Sequence, residues 1–183
     1  MIESLPLHAF EEEYSNNHIV AYSLDGQPIF WTEMQKRLDI WKDKLNDIPQ
    51  IKVAVFHTDA IDFLCIVSIL WSLKKIPVIP ENTLEETLKV VEDETDYLIG
   101  EFPELKPSHN ADAAKRLLSS NKEGNDLALI ILTSGSSGKP KAVYKTFKQL
   151  NSELKIIENN WGKLSKDILT LGTVSHHHMF GLQ

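Results

Sequence analysis

Between Leu127 and Leu150 the chain gathers residues able to handle phosphate. Thr133-Ser134-Gly135-Ser136-Ser137-Gly138-Lys139-Pro140-Lys141 sets four hydroxyls, two glycines and two lysines within nine consecutive positions. Gly135 and Gly138 carry no Cβ, so the backbone can turn sharply and approach a ligand, with successive N–H groups aimed at an anion. The hydroxyls add donors, Lys139 and Lys141 add positive charge, and Pro140 stiffens the exit. Ahead of this loop the apolar run Leu127–Leu132 reads as a buried strand. Behind it, the spacing of Phe147, Leu150, Leu154 and Ile157 predicts a helix. Strand, glycine-rich loop and helix in that order form a phosphate-binding arrangement. The bland alternative is a serine-glycine linker, but linkers seldom join a buried strand to a helix.

Three common glycine-loop motifs do not fit. A Walker A loop needs a glycine at position 133 and Ser or Thr after Gly138-Lys139, where the chain has Thr133 and Pro140. A nucleophile elbow, G-x-S-x-G, is one residue longer than Gly135-Ser-Ser-Gly138. The dinucleotide pattern G-x-G-x-x-G is absent.

The second chemical stretch is Val174-Ser175-His176-His177-His178-Met179-Phe180-Gly181-Leu182. Three adjacent histidines suggest a metal. In a strand, however, His176 and His178 would face one way and His177 the other, and no Cys or carboxylate follows to complete a shell, so no metal ligand is assigned. A solvated or core-edge trio is the plainer reading.

These residues need a frame. The chain has 183 residues, 42% of them hydrophobic, and a formal net charge of −7, which suits one globular domain with a real core. Its acidic balance argues against a general nucleic-acid binder. The single cysteine, Cys65, lies in an apolar run and reads as core, leaving no disulfide framework. The first residues lack the basic and apolar regions of a signal peptide, and the apolar run Ile61–Leu73 is too short to span a bilayer. A cytoplasmic location is expected.

Taken in order, Ile2–Asn17 reads as a short helix or arm. Ile19–Leu24 and Pro28–Trp31 are strands flanking the turn pair Asp25-Gly26. Thr32-Glu33 opens a helix to about Asn46 with Met34, Leu38, Trp41 and Leu45 on one stripe. Ile51–Phe56 is a strand, and Thr58 or Asp59 caps a nearly wholly apolar helix to about Lys74. Ile76–Ile79 is a strand, followed from Thr83 by a helix with Leu84, Leu88 and Val91 inward, and by a strand Tyr97–Ile99. Between Glu101 and Asp126 only Ala111–Leu118 has helical character. A strand of uncertain length follows the loop at Ala142–Lys145, and Ile168–Leu171 is the last strand. The alternation predicts an α/β fold, a mostly parallel doubly wound sheet with flanking helices, and ligands beyond the carboxyl ends of its strands.

The phosphate loop resembles the signature of the AMP-forming (adenylate-forming) synthetases, roughly T-S-G-[ST]-[ST]-G-x-P-K-G. Thr133 to Ala142 fits at nine of ten positions, with Ala142 in place of the last glycine. If that site needs a positive φ, alanine there costs about 1 kcal/mol. Asp62–Thr83 is similar to the family's early helix–strand unit, with Lys75 where a glycine is usual, and Asp25–Leu45 fits its opening hairpin and helix. The histidine stretch is similar to the segment "vPlfHxxGl". Aligned on Gly181-Leu182, it puts His178 on the family's histidine, Ser175 on its proline, and His176 and His177 on apolar positions.

The resemblance implies a carboxylic acid:CoA ligase that forms an acyl-adenylate and then a thioester. It implies ATP, Mg²⁺ and coenzyme A as cofactors, a small fatty or aryl acid as substrate, and coenzyme A or an acyl carrier protein as acceptor. It assigns Thr133, Ser134, Gly135, Ser136, Ser137, Gly138 and Lys139 to the phosphates, Lys141 to catalysis, and His178 with Gly181 to the acid pocket. Residues 1–183 would then form the amino-terminal part of the AMP-binding large domain, without the small lysine-bearing domain, and would be inactive alone. The readings from other classes are an adenylation domain that loads a carrier protein and a non-catalytic α/β anion-binding or interaction module.

Overall fold

The computed structural model describes residues 14–95, 97–103, 127–134, 140–161 and 172–178. The expected helix Ala111–Leu118, the strand Ile168–Leu171 and most of the amino-terminal arm lie outside these residues, as do Gly135–Lys139 and Gly181. A small antiparallel hairpin comes first, β1 (Ile19–Tyr22) with β2 (Pro28–Phe30). Gly26 turns it at φ +82°, and Ser23 holds the turn by bonding Asp25 and the Gln27 backbone. Helix α1 (Trp31–Leu45) follows directly. Thr32 lies inside its first turn and does not cap it, because Phe30 occupies the extended N-cap position.

The main sheet holds β3 (Lys52–Phe56), β4 (Ile76–Pro80), β5 (Leu98–Gly100), β6 (Leu127–Ser134) and β7 (Pro140–Thr146) in the order β5-β3-β4-β6-β7. β3, β4, β5 and β6 pair parallel, and β7 joins β6 antiparallel at one edge. Successive residues alternate between two cores. Val53, Val55, Ile79, Leu129 and Ile131 enter one, while Ala54, Val78, Ile130 and Leu132 enter the other. That is why β3, β4 and β6 read as unbroken apolar runs: both faces are covered.

Helix α2 (Ala60–Ser72) is the largest contributor to the first core, through Phe63, Ile66, Val67, Ile69 and Leu70. Leu38 and Trp41 of α1 and Phe147 and Leu150 of α4 (Phe147–Trp161) pack on the same side. The other face receives Val91 of α3 (Glu85–Glu94). Leu84, expected on the inner stripe of α3, is its N-cap residue and stays 67% exposed. Leu154 is likewise exposed, since α4 meets the core through its first turn. Cys65 is fully buried, and burial pushes its thiol up to about 12, so it is an inert core residue.

Two side chains tie the layers together. Trp71 Nε1–H donates to the Ala128 carbonyl at 2.6 Å, and its ring meets Phe147 edge-on at 5.5 Å. Trp71→Phe keeps the ring contact but strands that carbonyl; it should destabilise the fold by about 1–2 kcal/mol, and an unchanged urea midpoint would exclude the bond as a contributor. After α2, the turn expected to suit a glycine places Lys74, not Lys75, at positive φ, +57°. Lys75 instead extends its ammonium to the carbonyls of Ile48 and Gln50 ahead of β3.

Candidate functional site

The carboxyl ends of the parallel strands collect the polar residues. β6 runs to Ser134 and β7 starts at Pro140, so Thr133, Ser134, Pro140 and Lys141 are strand residues, and the connection between them is confined to 135–139. The strand expected at Ala142–Lys145 is present and longer, as β7, so the order is strand, connection, strand and helix. β7 intervenes, and α4 begins only at Phe147, at the far end of a seven-residue strand. The N-terminal dipole of α4 is therefore not aimed at the loop, and an anion there would rely on loop N–H groups and on lysine charge.

The hairpin does bring two assigned residues together. Thr133 pairs directly with Lys141 and Ser134 with Pro140. Side chains of directly opposed antiparallel residues share a face. Thr133 is partly buried and Lys141 exposed. Ala142 pairs with Leu132 within the strand. Among the described residues Lys74 is the non-glycine with positive φ, so alanine at 142 carries none of the strain anticipated for it.

Across the sheet, β3 and β5 end on a second polar group. Asp59 caps α2, its carboxylate accepting from the N–H groups of Ile61 and Asp62 at 2.9 Å each. Burial works against its charge, but these bonds and the Arg37 guanidinium at 3.1 Å hold its carboxyl below the usual range. Arg37 also reaches Glu33 (2.8 Å) and Asp62 (3.4 Å). Trp41 Nε1–H donates to Asp62 at 3.0 Å. From the end of β5, Glu101 accepts from Thr58 Oγ1–H (2.9 Å) and Thr58 N–H (2.6 Å), which hold its carboxyl low.

The histidine segment docks on this group. Residues 172–178 form a turn rather than a strand, with His178 N–H donating to the Ser175 carbonyl at 2.9 Å. The strand-based expectation that His176 and His177 point oppositely is thereby overturned, for both rings meet His57. His176 Nε2 lies 2.8 Å from the His57 carbonyl, and His177 Nε2 accepts the His57 N–H at 3.2 Å. His177 is 5% exposed, stacked on Phe56 with ring centroids 4.2 Å apart. Burial pushes it down to about 4; His176 acts the same way and Glu101 opposes. His178 is half-buried. His57, Glu101 and the docking role of His177 were not evident in the sequence, because their partners lie up to 120 residues apart. The one local signal is His57's place just beyond an apolar strand. Among the described residues no three His, Cys, Asp or Glu side chains converge to hold a metal.

Fold and site together define an α/β protein that presents its polar loops at the carboxyl edge of a mostly parallel sheet, where such folds take ligands. The family model described as "AMP-binding enzyme" matches residues 59–183, and the chain belongs to that family. It is 40% identical over 58 residues to a malonate–CoA ligase of Arabidopsis thaliana, a stretch that is 32% of this chain and 9% of the ligase. Its fold is similar to that of O-succinylbenzoate coenzyme A synthetase from Bacillus subtilis in complex with AMP, with TM-score 0.69 and 17% identity over 96% of this chain and 51% of that one. An ATP-bound RpMatB-BxBclM chimera is similar at TM-score 0.70 and 16% identity, covering 98% of this chain and 42% of the chimera. The chain thus spans about half the length of that synthetase. No helix among the described residues is long and apolar enough to cross a membrane.

Proposed function

We propose that this chain is the amino-terminal part of the nucleotide-binding domain of an ATP-dependent carboxylic acid:CoA ligase. The observation that carries the reading is the β6–β7 hairpin at the carboxyl edge of the sheet. It sets Thr133 opposite Lys141 at the mouth of a Gly-Ser-Ser-Gly-Lys connection, in a chain that belongs to the AMP-binding family. The synthetase of similar fold in complex with AMP and the malonate–CoA ligase relative are consistent with it.

In the proposed reaction a carboxylate oxygen attacks the α-phosphorus of ATP. A bond forms from that oxygen to phosphorus, the bond to the bridging oxygen breaks, and pyrophosphate leaves with the electron pair. A thiolate, that of coenzyme A, then attacks the acyl carbon and AMP departs. A carboxylate is already nucleophilic at neutral pH, so the first step depends on positioning and charge neutralisation more than on a base. Thr133, Ser134 and the 135–139 connection would hold the β- and γ-phosphates, Lys141 would offset the charge that develops on pyrophosphate, and His178 with Gly181 would border the acid. The residues still needed for ribose, metal and thioester chemistry would lie in the remainder of such a ligase, leaving this part inactive alone.

Inorganic pyrophosphate tests the loop directly. Added to the 183-residue chain, it is expected to slow amide hydrogen exchange at Gly135–Gly138. Strong protection without ligand, unchanged by pyrophosphate, would mean a rigid turn and would remove the phosphate clamp.

A further inference from the structure

The end of β3 is left short of partners by its neighbour. Pairing of β3 with β4 is recorded as far as Ala54 opposite Val78, and β4 closes on Pro80, which has no N–H to offer. His57 stands one residue past β3 with an N–H and a C=O that need partners where the sheet stops. Two consecutive side chains from the far end of the chain supply them. We propose that His176 and His177 are positioning residues, a two-ring clamp that closes on the His57 peptide groups and fixes the turn presenting His178. The last clause rests on the acid-site role given to His178 above.

The chemistry assigns each ring a different tautomer. A carbonyl only accepts, so His176 must carry its proton on Nε2, 2.8 Å from the His57 oxygen. A backbone N–H only donates, so Nε2 of His177 must be bare. Neutral His177 then keeps its proton on Nδ1, where Ser175 Oγ lies 3.3 Å away to accept it. Phe56 stacks on His177 at 15° between ring planes, and Phe63 meets His176 at 4.8 Å and His177 at 5.2 Å. An apolar side chain at 177 could keep the stack but not the hydrogen bond, so these histidines do what the apolar residues of the family pattern cannot.

Protonation opens the clamp. A proton on Nε2 of His177 would point at the His57 N–H and end that bond. The titratable groups facing the ring are His176, His57 and Glu101. His177 is held neutral, its value depressed from 6.5 to about 4. A base depressed in the docked state stabilises docking fully above its ordinary value, and that contribution is lost as pH falls from 6.5 toward 4. Glu101 and Asp59 are depressed from 4.5 and 3.8, so their contributions fade only below those values, which leaves the upper part of the window to His177.

Two variants separate bond from stack: His177→Phe keeps the aromatic contact, and His177→Gln puts an amide oxygen near the place of Nε2. In the wild-type chain, side-chain ¹⁵N spectra should show His177 with a bare Nε2. Its His57 amide should exchange roughly tenfold more slowly than in His177→Phe at neutral pH, with the difference shrinking as pH drops. His177→Gln should restore most of the protection without the pH dependence. Equal protection in wild type and His177→Phe, or an Nε2–H tautomer, would overturn the clamp. These readouts need no activity, so they decide the clamp even if the ligase reading fails. In an active ligase containing the chain, His177→Phe should raise KM for the acid several-fold more than KM for ATP. Equal effects on both would overturn the link to His178.

Discussion

Replacing Lys141 by alanine is expected to slow acyl-adenylate formation about a hundredfold while leaving the fold intact. The side chain is exposed and its residue is held by main-chain pairing opposite Thr133, so truncation removes charge rather than packing. In the proposed reaction negative charge accumulates on departing pyrophosphate. A fixed cation at the mouth of the loop lowers that barrier more than it favours bound ATP, so the loss should appear in kcat. Lys141→Arg, which keeps the charge with a different shape, should fall between the two. The measurement is ATP–pyrophosphate exchange with a panel of aliphatic, fatty and aryl acids, in a ligase carrying this chain. A variant that exchanges as fast as wild type would take Lys141 out of the site, whatever becomes of the loop.

The sheet was legible wherever one residue type dominated both faces. β3, β4 and β6 could be read from Ile51–Phe56, Ile76–Ile79 and Leu127–Leu132 because a strand buried on two sides has no polar alternation to confuse it. The cap at Asp59 was legible for a similar local reason: a short acceptor stands just before an apolar helix. Helical stripes were less dependable at their ends. Leu84 continues the spacing of Leu88 and Val91, but it sits at the N-cap, where the chain has not yet begun to coil.

The site was half legible. Composition marked Thr133–Lys141 as the candidate stretch, since few other uses bring that many glycines, hydroxyls and lysines together. The facing ends of its two strands were not legible, because Thr133, Ser134 and Pro140 look like loop residues while serving as the last residues of β6 and the first of β7. Proline at the first position of a strand needs no N–H partner on the open side. The histidine turn could not be read at all. Nothing near position 177 records that a backbone N–H at position 57 lacks a partner.

Gly100→Ala is expected to cost about 3 kcal/mol or more, far beyond the cost of the same change at Gly26. Both glycines have positive φ, +105° at Gly100 and +82° at Gly26, so an added Cβ meets backbone strain of about 1 kcal/mol at each. The surroundings separate them. At Gly26 nothing lies within 4 Å of the new carbon, whereas at Gly100 it would sit 1.9 Å from the Phe56 oxygen and 2.7 Å from the Phe56 carbonyl carbon. Those are backbone atoms of the neighbouring strand and cannot swing aside. Relief requires β5 to move off β3, which stretches the Glu101 N–H bond to the Phe56 carbonyl, 2.8 Å long. The same movement pulls the Glu101 carboxylate from Thr58 and disturbs the Phe56 ring on which His177 stacks. Gly100→Ala should therefore lower the urea midpoint and also speed amide exchange at Thr58 and His57, while Gly26→Ala lowers the midpoint slightly and leaves both amides protected. Equal losses of stability in the two variants would show that the close approach of β5 to β3 contributes nothing beyond backbone conformation.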